Sequence, residues 1–281
     1  MAPNDSSKPM PARIHLLAAK EAPYVVVLRR KPSRLVHVMR WNTQTDEIEH
    51  GSWFQGRIYE MASDLSPDGE YMVYLAMGAT GEMWTGICRP PFLKTLVDWP
   101  QKGTAHGGGM FRSRALLEIY PGYTAEDAKK AIEKVEHRFP FAVVLPEGTR
   151  PGEGDGGMFS RLKGYGFRRL GALEEAVLWD PGQYVVIWEN DPGWGLRPTP
   201  SHPELRVRYR DFSGFEWDLP EHPGLLDEHV SCAAYDALGQ LIVARQGVLT
   251  RYCLADLLTH TPSATFDLES LERPARPSPQ R

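Results

Sequence analysis

Asp64-Leu65-Ser66-Pro67-Asp68-Gly69-Glu70, running into Tyr71-Met72-Val73-Tyr74-Leu75-Ala76, is the stretch on which the fold turns. Pro67 pre-sets the φ of a tight turn, Gly69 admits a positive φ, and the aromatic and aliphatic run after it suits a buried strand. The segment predicts a hairpin: strand, tight turn, buried strand. The same grammar returns at Asp180-Pro181-Gly182-Gln183 before Tyr184-Val185-Val186-Ile187-Trp188, and at Asp236-Ala237-Leu238-Gly239-Gln240 before Leu241-Ile242-Val243-Ala244.

The turns are spaced as a period. Gly182 to Gly239 is 57 residues and Gly69 to Gly182 is 113, close to twice that, so a further unit is expected between them. Its hairpin falls at Gly107-Gly108-Gly109-Met110-Phe111 and Ala115-Leu116-Leu117-Glu118-Ile119-Tyr120, and a first copy fits at Ile14-His15-Leu16-Leu17, turning at Lys20-Glu21-Ala22-Pro23 into Tyr24-Val25-Val26-Val27-Leu28. Second strands are then expected near residues 24, 70, 115, 183 and 240. Third strands follow at 35–39, 83–87, 205–209 and 248–252, with outer strands after short polar turns at 41–48 and 210–217. Four strands per unit, repeated about five times, predict an all-β fold: a β-propeller, five four-stranded blades, whose radial closure protects the strand edges. A four-bladed ring with 110–165 as an insertion, and a β-sandwich with added hairpins, are the alternatives.

The stretch Asp64 to Ala76 resembles the Ser-Pro-Asp-Gly hairpin of TolB-like and WD-like β-propeller repeats, and the other two turns are weaker matches. No unit carries the Gly-His and Trp-Asp pair of a true WD repeat. The resemblance implies a propeller fold and assigns no particular activity.

Composition agrees with many turns and few helices. Gly (26) and Pro (24) make 50 of 281 residues, roughly 18% where about 12% is usual. One helix is expected, a short insertion near 124–137, with Thr124 as N-cap and Ala128, Ala131, Ile132 and Val135 as its apolar stripe. The domain organisation expected is a flexible N-terminal tail over 1–11, a single propeller domain over 12–271 with an insertion at 121–157, and a flexible tail over 272–281. The 32 Lys+Arg against 36 Asp+Glu leave a charge of -4, which argues against nucleic acid and against an anionic membrane as partners. Three widely spaced cysteines, Cys88, Cys232 and Cys253, fit neither a disulfide framework nor a zinc site, and the first 20 residues lack the apolar core of a signal segment. A cytoplasmic protein is expected.

No catalytic signature emerges. His106-Gly107-Gly108-Gly109 resembles the oxyanion loop of α/β-hydrolases, yet no Gly-x-Ser-x-Gly elbow accompanies it. Such glycines allow close backbone approach, leaving a ligand at the mouth of a central channel conceivable. The loop Gly152 to Gly157 lacks calcium-loop spacing, and Glu221-His222 with Glu228-His229 form no recognised metal motif, so no metal and no cofactor is expected. Glu60, Asp64, Glu174, Glu175 and Glu228 lie at or near expected inner strands, where two acids at glycosidase spacing could act as acid and base. Nothing in the sequence singles out a pair. Residues 1–40 carry eight basic side chains against two acidic ones, and Arg29, Arg30, Lys31, Arg34 and Arg40 read as a solvated, charge-guarded hairpin edge. Most of the eight tryptophans should pack between blades, with Trp194 the exception: on a long loop with Pro198, Pro200 and Pro203 it could anchor a protein partner or be buried.

The expected binding residues are therefore His106, Arg112 and Trp194. The expected function is a protein-interaction module, a scaffold or inhibitor in a bacterial system, with another protein as partner and no catalysis. A carbohydrate-active hydrolase using channel carboxylates, or a small-molecule-binding propeller, are the competing functions.

Overall fold

The computed structural model describes residues 10–101, 107–120, 129, 132, 133, 135, 137–146, 162–171, 174–180, 183–190, 193–210 and 214–274. The chain is all-β. Its first strands are β1 (Arg13–Ala18), β2 (Tyr24–Arg30), β3 (Leu35–Asn42), β4 (Glu47–Leu65), β5 (Met72–Gly78), β6 (Met83–Arg89) and β7 (Phe92–Gln101), and they form one antiparallel sheet in that order. There follow β8 (Gly109–Ser113), β9 (Leu116–Ile119) and β10 (Ala142–Val144), in a three-stranded sheet. Next come β11 (Arg168–Arg169), β12 (Glu174–Asp180), β13 (Gln183–Asn190), β14 (Trp194–Leu196), β15 (Leu205–Arg210) and β16 (Gly214–Asp218). The last sheet is β17 (Val230–Tyr235), β18 (Leu241–Arg245), β19 (Val248–Tyr252) and β20 (Ala264–Asp267), in sequence order, with a short 3-10 turn at Asp256–Leu258 before β20.

The deciding turn folds as its side chains dictate. Gly69 donates to the Ser66 carbonyl at 2.8 Å, Glu70 N–H to Asp68 Oδ1 at 3.1 Å and Tyr71 N–H to Ser66 Oγ at 2.9 Å, with Gly69 at φ 78°. Asp236 builds the same turn: its Oδ1 accepts from Leu238 and Gln240, and Gly239 sits at φ 76°. The strands expected after the turns begin at residues 24, 72, 116, 183 and 241, and the third strands at 35, 83, 205 and 248, within two residues of the sequence-based positions.

Three features depart from the regular pattern. β4 is continuous over 19 residues and changes partner midway: Gln55 is the last residue paired with β3 and Gly56 the first paired with β5. A Cβ at Gly56 would fall 2.3 Å from the Met77 carbonyl oxygen, so the crossover needs glycine there. Counted as two four-stranded sheets that share β4, the seven-stranded sheet supplies the first and second; the third, β8–β10, holds three strands rather than four, and β10 joins β9 in parallel because residues 120–141 intervene between them. The hairpin at Asp180 to Gln183 forms a separate two-stranded ribbon, β12–β13, while the neighbouring sheet runs β11-β14-β15-β16. Of the expected helix at 124–137, Lys129, Ile132 and Glu133 are helical; its other residues, except Val135 and His137, lie outside the described residues, as do 1–9 and 275–281 of the expected tails.

Buried apolar clusters bridge consecutive sheets. Leu17, Val26 and Val38 pack with Ile58, Met72 and Tyr74. Val73, Ile87 and Trp99 pack with Phe111, Leu117 and Phe141. Trp194, Leu205 and Val207 pack with Val230, Leu241 and Val243. The first and last sheets also share a core, in which Ile14, Leu16 and Trp41 meet Cys232, Ile242 and Leu249. Ser231 Oγ donates to the Ile14 carbonyl at 2.8 Å and accepts from the Ile14 N–H at 3.3 Å. Among the described residues, no helix is long and apolar enough to cross a membrane.

Candidate functional site

Alternation along β1 sends Ile14, Leu16 and Ala18 into the core shared with the last sheet, and Arg13, His15 and Leu17 to the opposite face. Residues from four sheets converge beside β1. A cavity of about 60 Å³ there is lined by Leu16, Ala18, Met61, Tyr165, Val207 and Ala233, and by His15 and Phe215. Its walls are mainly apolar side chains, and it has room for about two waters.

At its side lies Asp64, fully buried at the end of β4. Asp64 Oδ2 accepts from the Phe111 N–H at 2.8 Å and Oδ1 from the Tyr165 hydroxyl at 2.6 Å. This acid is a structural node. It ties β4 to β8 and to the segment leading into β11. Gly108 donates to Thr85 Oγ1 at 2.7 Å, and a Cβ on it would lie 1.8 Å from the Ala62 carbonyl oxygen, so the glycine run serves close backbone approach.

Of the expected site residues, Arg112 on β8 and Trp194 on β14 stand in different sheets. His106 lies outside the described residues. Arg112 is engaged within its own sheet: its Nε donates to Glu118 Oε2 at 2.7 Å. Burial pushes the Arg112 pKa down, but the Glu118 hydrogen bond and the nearby Tyr120 and Asp64 raise it above its ordinary value. Beside it, burial pushes the Tyr120 phenol up to about 12. Trp194 is buried, not displayed on a loop: β14 inserts it into the core between the fourth and last sheets, with the Arg169 guanidinium 5.1 Å from its ring.

Of the candidate carboxylates, Glu60 and Glu228 line one basin, described below. Asp64 is the node just described; Glu228 is exposed, and the side chains of Glu174 and Glu175 lie outside the described residues. Glu221 pairs with Arg197 and accepts from the Glu204 N–H at 3.2 Å. Burial pushes its carboxyl up, and the Arg197 hydrogen bond outweighs this and holds it below the usual range. Glu204 behaves alike between Arg168 (3.1 Å) and Arg206 (2.9 Å). Among the described residues, no three histidine, cysteine or acidic side chains cluster as metal ligands.

The expected solvated edge at Arg29 is overturned. Arg29 is 1% exposed, and its guanidinium donates to the carbonyls of Leu268 (2.5 Å) and Glu269 (2.8 Å). The reason is that the β1–β2 hairpin packs against the last sheet instead of facing water.

A second arginine group was not recognised from sequence. The β1–β2 register sets Arg13 directly opposite Arg30, and Arg57 of β4 joins them along a basin of about 460 Å³ that His15 and Phe215 connect to the small apolar cavity. Glu60, Glu228, His229 and Ser231 complete the polar lining, and Met10 and Phe215 add apolar surface. The turn at 20–23 fixes that register, so the Arg13–Arg30 opposition was available to a reader who counted outward from it. Neither a protein-family model nor a curated protein matches the chain.

Proposed function

We propose that this chain is a single-domain five-bladed β-propeller that works as a protein-interaction module, not as an enzyme. The blades are β1 to β4 up to Gln55, β4 from Gly56 with β5–β7, then β8–β10, β11 with β14–β16, and β17–β20. Support for the ring comes from the shared cores between consecutive sheets and from the core and hydrogen bonds between the first sheet and the last. The segment leading into the fourth sheet reaches the second through Tyr165 and Asp64 and approaches the third at Gly164, where a Cβ would lie 2.6 Å from Met110 Sδ.

The observation that carries the functional part is the state of the axis. Ligand sites usually offer about 300–1,000 Å³. The space beside β1 offers about 60 Å³ between apolar walls, and Asp64, bonded to the lining residue Tyr165, already accepts two hydrogen bonds. So small an apolar space favours recognition at the surface, on loops that the sheets hold in place.

The test is affinity capture with the purified full-length chain from native lysate, followed by reconstitution with the purified candidate. A stoichiometric 1:1 or 2:1 complex on size exclusion is expected. Turnover of a glycoside panel that is abolished by Glu228→Gln or Glu60→Gln, or the absence of any reconstituted complex, would overturn the proposal.

A further inference from the structure

We infer that the basin lined by Arg13, Arg30 and Arg57 binds an acidic peptide segment of a protein partner; this rests on the interaction-module function proposed above. Like charges directly opposite on an antiparallel pair destabilise it, and Arg13 faces Arg30 in that relation. Neither guanidinium has a carboxylate partner among the described residues. Arg57 is held over the Tyr59 ring, 4.7 Å from its centroid, a contact that leaves its hydrogen-bonding edge available. By contrast Arg40, Arg112, Arg197, Arg206, Arg245 and Arg251 each pair with a carboxylate of the chain itself. Guanidinium forks that line a basin without a carboxylate partner are suited to bidentate capture of carboxylates supplied from outside.

The composition of the basin narrows the ligand. Three arginines stand with two glutamates, Glu60 and Glu228, so the surplus of positive charge is small and local. A polynucleotide, which needs an extended run of cations, is a poor match. A short segment can instead offer one carboxylate to each unpaired guanidinium of Arg13 and Arg30. A volume of about 460 Å³ exceeds that of one small anion, and Met10, 71% exposed, and Phe215 offer apolar contact to side chains between the acids.

The test uses a fluorescein-labelled octapeptide of glutamate, aspartate and leucine and a control octapeptide with lysine in place of the acids, read by fluorescence anisotropy. The acidic peptide should bind and the lysine peptide should not, with affinity falling as salt rises. The double substitution Arg13→Gln with Arg30→Gln should weaken binding at least tenfold, the corresponding double Lys variant less, and Arg34→Gln, exposed and outside the basin, not at all. Because the double Gln variant removes a repulsion, its melting temperature should equal or exceed that of the unmodified chain, so weakened binding cannot be ascribed to unfolding. Unchanged affinity in the double Gln variant, or displacement of the peptide by equimolar inorganic phosphate, overturns the inference. A partner recovered from lysate equally well by the double Gln variant would overturn this site while leaving the interaction function standing; failure to form any complex would overturn the function itself.

Discussion

Arg29 of the second strand donates through Nε to the carbonyl oxygen of Leu268 at 2.5 Å, joining residues 239 positions apart. A second nitrogen of the same guanidinium reaches the Glu269 carbonyl, while Lys31 pairs with the Glu269 carboxylate, which also accepts from the Ala12 N–H at 2.7 Å. The first sheet and the end of the last are therefore fastened by charge-assisted bonds over a shared apolar core.

Replacing Arg29 by Met should cost about 2–4 kcal/mol, since one buried and one part-buried carbonyl lose their donors while the aliphatic volume is largely kept. Arg29→Lys should recover less than half of that, because one ammonium cannot reproduce the planar fork. Urea denaturation followed by tryptophan fluorescence measures both. A loss below about 0.5 kcal/mol for the Met variant would mean that this contact between the first and last sheets contributes little to stability.

Asp64 offers a second seam. Its carboxylate accepts from Phe111 N–H and Tyr165 Oη with no exposure to water, so Asp64→Ala should destabilise by about 2–4 kcal/mol and Tyr165→Phe by about 1–3 kcal/mol. The two changes share one hydrogen bond, and the double variant should lose less than the sum by about 0.5–3 kcal/mol. Additive losses in the cycle would show that Tyr165 and Asp64 are energetically independent.

Strand positions were readable because turn chemistry is local. Ser66, Pro67, Asp68 and Gly69 form their turn from their own side chains, and so does Asp236, whatever packs above them. What lay outside that local code was decided by partners distant in sequence. The fate of Arg29 depended on Leu268 and Glu269, and that of Asp64 on Phe111 and Tyr165, neither of which hydropathy patterning addresses. Trp194 looked like a loop anchor because Pro192 and Gly193 precede it and prolines follow, yet the pairing of β14 with β15 turns it into the core. The arginine basin was hidden for a related reason: its members come from three strands, and only the β1–β2 register brings Arg13 and Arg30 together.

Gly108 should tolerate no side chain. It adopts φ 78°, and an added Cβ would overlap the Ala62 carbonyl oxygen at 1.8 Å, backbone against backbone with no flexible atom to yield. Gly108→Ala should therefore lower stability by more than the roughly 1 kcal/mol of a left-handed alanine alone, about 3 kcal/mol or an insoluble product. Gly81→Ala is the control, since it has positive φ with open space around its Cβ and should show only the conformational part. Equal losses in the two variants would refute the steric account.

His37 makes the native protein acid-sensitive in a defined direction. It is buried opposite Arg29 in the β2–β3 register, stacked on Trp53 at 4.0 Å and on His50 at 5.1 Å, and neither ring nitrogen has a hydrogen-bond partner among the described residues. Burial first, then the charges of His50 and Arg29, lower its pKa from 6.5 to about 4. Between those two values the unfolded chain binds a proton that the native protein refuses. Stability must then fall as pH drops through 6.5 and level off, for this group, below about pH 4. The loss should reach a few kcal/mol across that window. Unfolding midpoints in urea at pH 7, 6, 5 and 4.5, compared between the unmodified chain and His37→Phe, isolate this contribution from that of the carboxylates, which both proteins share. The Phe variant keeps the stacked ring and should show a shallower decline between pH 6.5 and 4.5. Parallel declines in the two proteins would mean that His37 accepts its proton in the folded state as readily as in the unfolded chain.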